Sequence, residues 1–472
     1  VGILVGPGHN GGDGLVVARE LQLQGYQVKL VMPLSRLKPL TQSHANYAKA
    51  VGIVWGESVA DFGDCDFWVD GLFGTGLTRP LTRTIAHQVN ELNQLSLPVV
   101  SIDLPSGLHT DTGQVLGTAV QAQHSFCLGL WKRAYFQDEA LAYCGQTTLL
   151  DIGIPDPAYA AVLAQVDAVQ IITPPLAQQA LPFNRPPVTH KYQQGHVLLV
   201  CGSQQYAGAA LLTALGARAS GVGMMTIAVP DSIKPLLHAQ CPDALVIGCP
   251  ETDTGAIAAL ANPDLSPYTA IAVGPGCTLQ SGLLVEAVLP ARCPLIIDAD
   301  GLNQVAQRAL LPRLALRAAP TILTPHLGEF NRLFPGLYEG DRLQAVHRAA
   351  QSSQTIVLLK GAKTAIATPV GQIWLIQEST QALARGGSGD VLTGLMGGLL
   401  AQPSQQPWGQ RVAAGAWWHA QAGIFAAGDR TILGVDAFHL SQSLMPTLSH
   451  WVKRGFTPHS SKSPLAIGED GE

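Results

Sequence analysis

Short, unbroken apolar runs recur along the chain, separated by longer stretches whose apolar positions fall three and four apart. Residues 1–5, 28–32, 67–69 and 99–102 are runs of the first kind and read as buried strands; 15–24 and 85–95 have helical spacing. Buried strands that alternate with helices predict a parallel sheet covered on both faces. The pattern weakens from 156 to about 194, where Pro174, Pro175, Pro182, Pro186 and Pro187 fall, and a linker is expected at 161–188. A second series then begins. Strands are predicted at 196–201, 225–229, 270–273, 295–297, 321–323 and 356–360, followed by a hairpin of 363–367 with 373–376. Helices are predicted at 209–220, 389–401 and 411–427. The fold class is therefore α/β, with two three-layer αβα domains at 1–160 and 189–455. The Ser-, Pro- and acid-rich stretch 456–472 is expected to be a disordered tail. Because 1–5 already reads as a central strand, a preceding N-terminal segment is expected to be missing from this sequence.

Composition narrows the possibilities. Of 472 residues, 47% are apolar and only 13% charged, and the formal charge is −5, so no basic footprint points to nucleic acid. The eight cysteines form no C-x-x-C pair, which leaves zinc and redox motifs unsupported. Reduced, buried thiols and a cytoplasmic location are expected. No apolar run is long enough to cross a membrane; the longest candidate, 207–229, is interrupted by Arg218 and several glycines.

The candidate chemistry of the first domain lies in three loops at strand ends. Gly6-Pro-Gly-His-Asn-Gly-Gly-Asp-Gly14 leaves a strand and enters a helix, a Rossmann-like arrangement. Its glycines let a ligand approach the backbone, and the helix start favours a phosphate. Asp70-Gly-Leu-Phe-Gly-Thr-Gly-Leu-Thr-Arg-Pro80 and Ile102-Asp-Leu-Pro-Ser-Gly107 follow two other strands. Each alone reads equally well as a tight turn, and Asp103 as a turn cap. In an open parallel sheet, however, such loops converge on one crevice. Asn10, Asp70 and Ser106 would there supply hard oxygen ligands, and Asp103 a carboxylate able to move protons.

Gly8-His-Asn-Gly-Gly-Asp-Gly-Leu-Val-Val-Ala-Arg19, Asp70-Gly-Leu-Phe-Gly-Thr-Gly76 and Ile102-Asp-Leu-Pro-Ser-Gly107 together resemble the NAD(P)H-hydrate epimerase domain, over most of 1–155. The resemblance implies a potassium ion at Asn10, Asp70 and Ser106. It implies substrate contacts at His9, Asn10, Gly11, Gly12 and Asp13, at Gly74, Thr75, Gly76, Leu77, Thr78, Arg79 and Pro80, and at Asp103, which it makes catalytic. His9 departs from the family's usual Asn, and the family's N-terminal helical segment is absent.

In the second domain Arg385-Gly-Gly-Ser-Gly-Asp390 precedes an apolar helical stretch. Backbone N–H groups at that helix start would form an anion hole, with Asp390 placed to accept a hydroxyl proton. Lys360-Gly-Ala-Lys-Thr364, Thr324-Pro-His-Leu-Gly-Glu329, Gly274-Pro-Gly276 and Asp298-Ala-Asp-Gly-Leu-Asn303 also follow strands. No G-x-x-x-x-G-K-[ST] motif is present, which excludes a P-loop enzyme.

With His190-Lys191, Gly202-Ser203 and Gly208-Ala-Ala210, these pieces resemble the ADP/ATP-dependent NAD(P)H-hydrate dehydratases, a ribokinase-like family, across about 190–400. Ser388 stands where the family often has Thr, and Tyr192 where it often has Gly. The resemblance implies nucleotide binding at Lys360, Gly361, Ala362, Lys363, Thr364 and Gly389. It implies hydrate contacts at Ala209, Gly276, His326 and Asp390, with Asp390 catalytic and Mg²⁺ beside the nucleotide. Together the halves imply a bifunctional repair enzyme. It would epimerise the R and S hydrates of NADH and NADPH (NADHX and NADPHX) and dehydrate the S form with ADP, giving AMP and phosphate. A homo-oligomer is expected. The alternative is a ribokinase-like small-molecule kinase with a non-catalytic N-terminal ligand-binding domain.

Overall fold

The computed structural model describes residues 1–163, 169–183 and 185–457. The expected tail lies outside the described residues from 458 onward. Contacts divide the chain into two units near residue 166, with Glu339–Arg342 grouped with the first.

The first unit is built on seven strands: β1 Gly2–Val5, β2 Lys29–Val31, β3 Val54–Gly56, β4 Trp68–Gly71, β5 Val99–Ile102, β6 His124–Leu128 and β7 Gln146–Leu150. They pair in the order β3-β2-β1-β4-β5-β6-β7, every pairing parallel. Every residue of β1 and β4 is buried, as central strands with both faces covered must be. The strand order reverses between β1 and β4, so the loops after them open the crevice where ligands bind in such sheets. The helix after β1 spans His9–Leu23, six residues earlier than the spacing predicts. The glycine-rich string is its first turns rather than a loop before it. Gly11 permits this: a Cβ there would lie 1.8 Å from the Gly6 carbonyl oxygen.

The second unit holds a ten-stranded sheet of β8 Val169–Ile171, β9 His196–Val200, β10 Met224–Pro230, β11 Leu245–Cys249, β12 Ala270–Val273, β13 Leu295–Ile297, β14 Thr321–Leu323, β15 Ile356–Leu359, β16 Ala365–Ala367 and β17 Ile373–Leu375. The order is β11-β10-β9-β12-β13-β14-β15-β16-β17-β8. The predicted hairpin is β16–β17, and β16 is antiparallel to both of its neighbours. The stretch expected as a linker instead carries β8, which pairs parallel with β17, and a helix at Pro174–Ala180. Its prolines misled the reading because Pro174 and Pro175 occupy the first helical turn, where a missing N–H costs nothing.

Helix Ser388–Ala401 carries Asp390 and is anchored by backbone-close packing. A Cβ on Gly394 would lie 1.8 Å from the Thr213 carbonyl oxygen, and one on Gly216 would lie 2.2 Å from that of Val391. These glycines seat the helix against helix Ala207–Ala219. Val391, Leu395, Met396 and Leu399 are buried in the core, each contributing about 1.5–3 kcal/mol of transfer free energy. All eight cysteines are buried. Among the described residues no helix is long and apolar enough to cross a membrane.

Candidate active sites

The loops after β1, β4 and β5 enclose a cavity of about 530 Å³ in the first unit. Its lining includes His9, Asn10, Asp13, Gly74, Thr75, Gly76, Leu77, Thr78, Arg79 and Asp103. Pro80, Gly11 and Gly12 do not line it; the two glycines are buried in the helix start. Asp103 has φ +69°, a left-handed conformation unusual outside glycine. Two bonds hold it there: its N–H donates to the Phe126 carbonyl (2.8 Å) and its carbonyl accepts from the buried Tyr135 hydroxyl (2.8 Å). The Asp103 carboxylate forms an ion pair with Lys132. Lys132 and Lys38 line the cavity and escaped the sequence reading. Burial, and then the Asp103 charge, push the Asp13 carboxyl upward.

Asp70 is fully buried behind this cavity. It accepts from Ser106 Oγ (2.6 Å), Ser106 N (2.8 Å), Ser101 Oγ (2.9 Å) and Leu72 N (3.2 Å). Burial raises its pKa, and the hydrogen bonds from Ser106, Leu72 and Ser101 oppose that rise. Asp70 and Ser106 thus meet directly, while Asn10 turns toward Gly74: a Cβ on Gly74 would lie 3.0 Å from Asn10 Oδ1 and 2.9 Å from Asp103 Oδ2.

The second cavity, about 440 Å³, is lined by Gln205, Tyr206, Ala209, Gly276, Thr278, Leu279, Gln280, Asp300 and Asp390. Gly276 has φ +65°, and a Cβ there would strike Ala209 and Tyr206 at 2.8 and 2.9 Å. Asp300 accepts the Thr278 N–H (2.9 Å), and the Thr278 hydroxyl is buried without a partner. Asp390 lies in the first turn of its helix, behind the left-handed cap Gly387 (φ +91°). Burial, and then repulsion from Asp298, push its carboxyl up to about 7, with Lys360 pulling the other way. Lys360 Nζ sits 2.7 Å from Asp298 Oδ1, and a Cβ on Gly389 would lie 3.4 Å from that nitrogen. Burial disfavours the Lys360 ammonium, but Asp298 and Glu329 outweigh it and raise its pKa. Beneath the helix start, buried His419 hydrogen-bonds the Ser388 carbonyl (2.9 Å), and burial holds its pKa down near 4.

His326 and the segment Lys360–Thr364 lie outside that lining. The His326 ring instead caps helix Leu327–Leu333, accepting from Gly328 N at 3.0 Å and Glu329 N at 3.4 Å. Gly361 and Ala362 are exposed, and Lys363 Nζ reaches the Gln377 carbonyl.

Comparison with known proteins decides the family. A family profile described as NAD(P)H-hydrate dehydratase matches residues 197–446, and one described as YjeF-related protein N-terminus matches 1–134. The bifunctional NAD(P)H-hydrate repair enzyme Nnr of Synechocystis sp. is 64% identical over 96% of this chain and 86% of its own length. The chain belongs to the bifunctional NAD(P)H-hydrate repair enzymes. A second relative of the same name, from Thermosynechococcus vestitus, is 51% identical over 95% of this chain and 88% of its own length. Among solved structures, an ADP/ATP-dependent NAD(P)H-hydrate dehydratase of Bacillus subtilis, co-crystallised with ATP and Mg²⁺, is 31% identical with a TM-score of 0.51. It matches 60% of this chain and 99% of its own. A ribokinase-like superfamily protein of Enterococcus faecalis (23% identical, TM-score 0.51, 60% of this chain and 96% of its own) shares the fold. In this repair-enzyme chain the second unit is thus ribokinase-like, and both cavities lie among loops at strand ends.

Proposed function

We propose that the first cavity interconverts the R and S hydrates of NADH and NADPH, and that the second dehydrates the S form with ADP, releasing AMP and phosphate. The observation that carries the second half is Asp390. It combines a cavity-facing position, a helix N-terminus and a pKa near 7, where a carboxylate is both available and basic.

Dehydration needs hydroxide converted into a better leaving group. Asp390 takes the proton of the hydrate hydroxyl as that oxygen attacks the terminal phosphate of the nucleotide. The N–H groups at the helix start, with Gly389, hold the transferring phosphate, and Lys360 offsets its charge. The ring-nitrogen lone pair expels the phosphate, and loss of a proton from the neighbouring ring carbon to water then regenerates the dihydropyridine. Lys360, Gly361, Ala362, Lys363 and Thr364 hold the nucleotide, and Ala209, Gly276 and His326 contact the hydrate. A magnesium ion would be held chiefly by the nucleotide phosphates themselves. Magnesium would there neutralise phosphate charge.

In the first cavity Asp103 moves a proton as the hydroxyl-bearing carbon inverts. Asn10, Asp70 and Ser106 offer only oxygen donors, and among the described residues no basic side chain pairs with buried Asp70. That donor set fits a potassium ion, which would place fixed positive charge behind the cavity. Self-association is proposed through the exposed Phe438, Met445 and Val452, which recur every seventh residue on helix Ala437–Lys453; sizing in solution tests it.

Product analysis tests the proposal. With S hydrate and ADP, free phosphate and reduced cofactor should appear in equal amounts. A stable phosphorylated product would instead mark a small-molecule kinase.

A further inference from the structure

The two oxygens of Asp103 have different surroundings. Oδ1 is engaged by Lys132 Nζ and by the Leu128 N–H (3.3 Å). Oδ2 faces the Asn10–Gly74 side of the cavity. Lys132 is held as firmly, since Nζ also donates to the Leu128 carbonyl (2.7 Å). The Lys132 and Asp103 side chains are only 13% and 12% exposed, and that exposure opens on the cavity. A surface ion pair tolerates wandering partners; this one is fixed at both ends and presented to a ligand pocket.

We propose that Lys132 is a second catalytic residue of the first site, the proton donor that lets the hydroxyl oxygen leave as water. The inference rests on the epimerase reading of that site. When an enamine is hydrated, the hydroxyl lands on the carbon bonded to nitrogen. The ring-nitrogen lone pair can therefore form a C=N⁺ bond as the C–O bond breaks, and the Lys132 ammonium supplies the proton that turns the departing oxygen into water. Water then adds to the opposite face. Its oxygen forms the new C–O bond, the C=N⁺ electrons return to nitrogen, and Asp103 takes the released proton. Lys132 is now neutral and Asp103 protonated, and proton transfer across their contact restores both. One water leaves, one enters, and nothing is oxidised or reduced.

Arginine separates this role from simple charge pairing, because a guanidinium keeps the ion pair with Asp103 but does not surrender a proton. The full chain and its Lys132→Arg, Lys132→Gln and Asp103→Asn variants are incubated with R hydrate in oxygen-18 water without nucleotide. Conversion to S and label in the product are read by chromatography and mass spectrometry. Native circular dichroism and an unchanged melting transition of the first unit confirm that each variant is folded, and dehydration of S hydrate with ADP confirms that the second site is intact. The native chain should incorporate one labelled oxygen per inversion. Both Lys132 variants should invert about 10²-fold or more slowly while dehydrating S hydrate at the native rate. Lys132→Arg within a few-fold of native, or native inversion without label, overturns the proposal. If Asp103→Asn alone stops inversion, only the Lys132 assignment falls. If neither position matters, the epimerase reading of the cavity falls with it.

Discussion

Lys360 Nζ and Asp298 Oδ1 lie 2.7 Å apart, joining the ends of β15 and β13 across the strand between them. The other Asp298 oxygen accepts from Thr393 Oγ1 on the Asp390 helix (2.6 Å). Asp298 is 1% exposed, so removing its cation strands a buried charge. Lys360→Met should cost about 3 kcal/mol in chemical denaturation, and adding Asp298→Asn should recover most of that. A double variant no more stable than Lys360→Met alone would show that the pair is not coupled in this way.

Asp390→Asn should lower the dehydration rate about 10²–10⁴-fold while nucleotide still binds, as calorimetry would show. Retained turnover would remove Asp390 as the base.

The Asp390 carboxyl is pushed up to about 7 from its ordinary value. Its ionised form is the base, so dehydration at saturating substrate should rise as pH climbs through about 7 and then level. Stability runs the other way. The folded state binds this proton more tightly than the unfolded chain, so the Asp390 contribution is present in acid and lost as pH rises through about 7. Asp390→Asn should therefore raise Tm at pH 8 and lose that advantage near pH 4.

Gly74→Ala would put a methyl group 2.9 Å from Asp103 Oδ2 and 3.0 Å from Asn10 Oδ1. Epimerisation should slow by about tenfold or more, since small displacements at a reacting centre are costly. Dehydration of S hydrate by the same chain should be unaffected.

Much of this was legible in the sequence, and the misses have physical causes. Strands such as β1, β5, β12 and β14 are wholly or mostly buried and stand out as apolar runs. β7, Gln146–Leu150, is an edge strand with four of its five residues exposed, so no hydrophobic pattern marks it. β3 has three residues and an exposed Val54. Loop motifs located Asp103 and Asp390, because glycine-rich strings at strand ends are visible locally. Lys132 was not visible: it stands far from Asp103 in the chain and reaches it only because β5 and β6 are parallel neighbours. The pairing of Lys360 with Asp298 is equally a product of the sheet, although both loops were singled out.

The central claim is that one chain repairs both epimers. The direct measurement is the reappearance of reduced-nicotinamide absorbance when the full chain meets an equilibrium mixture of R and S hydrates with ADP and Mg²⁺. Repair of both forms predicts complete recovery in two phases: a fast one matching the S fraction, and a slower one that Asp103→Asn abolishes. Recovery that stops at the S fraction, or that never begins with ADP or ATP, would contradict it.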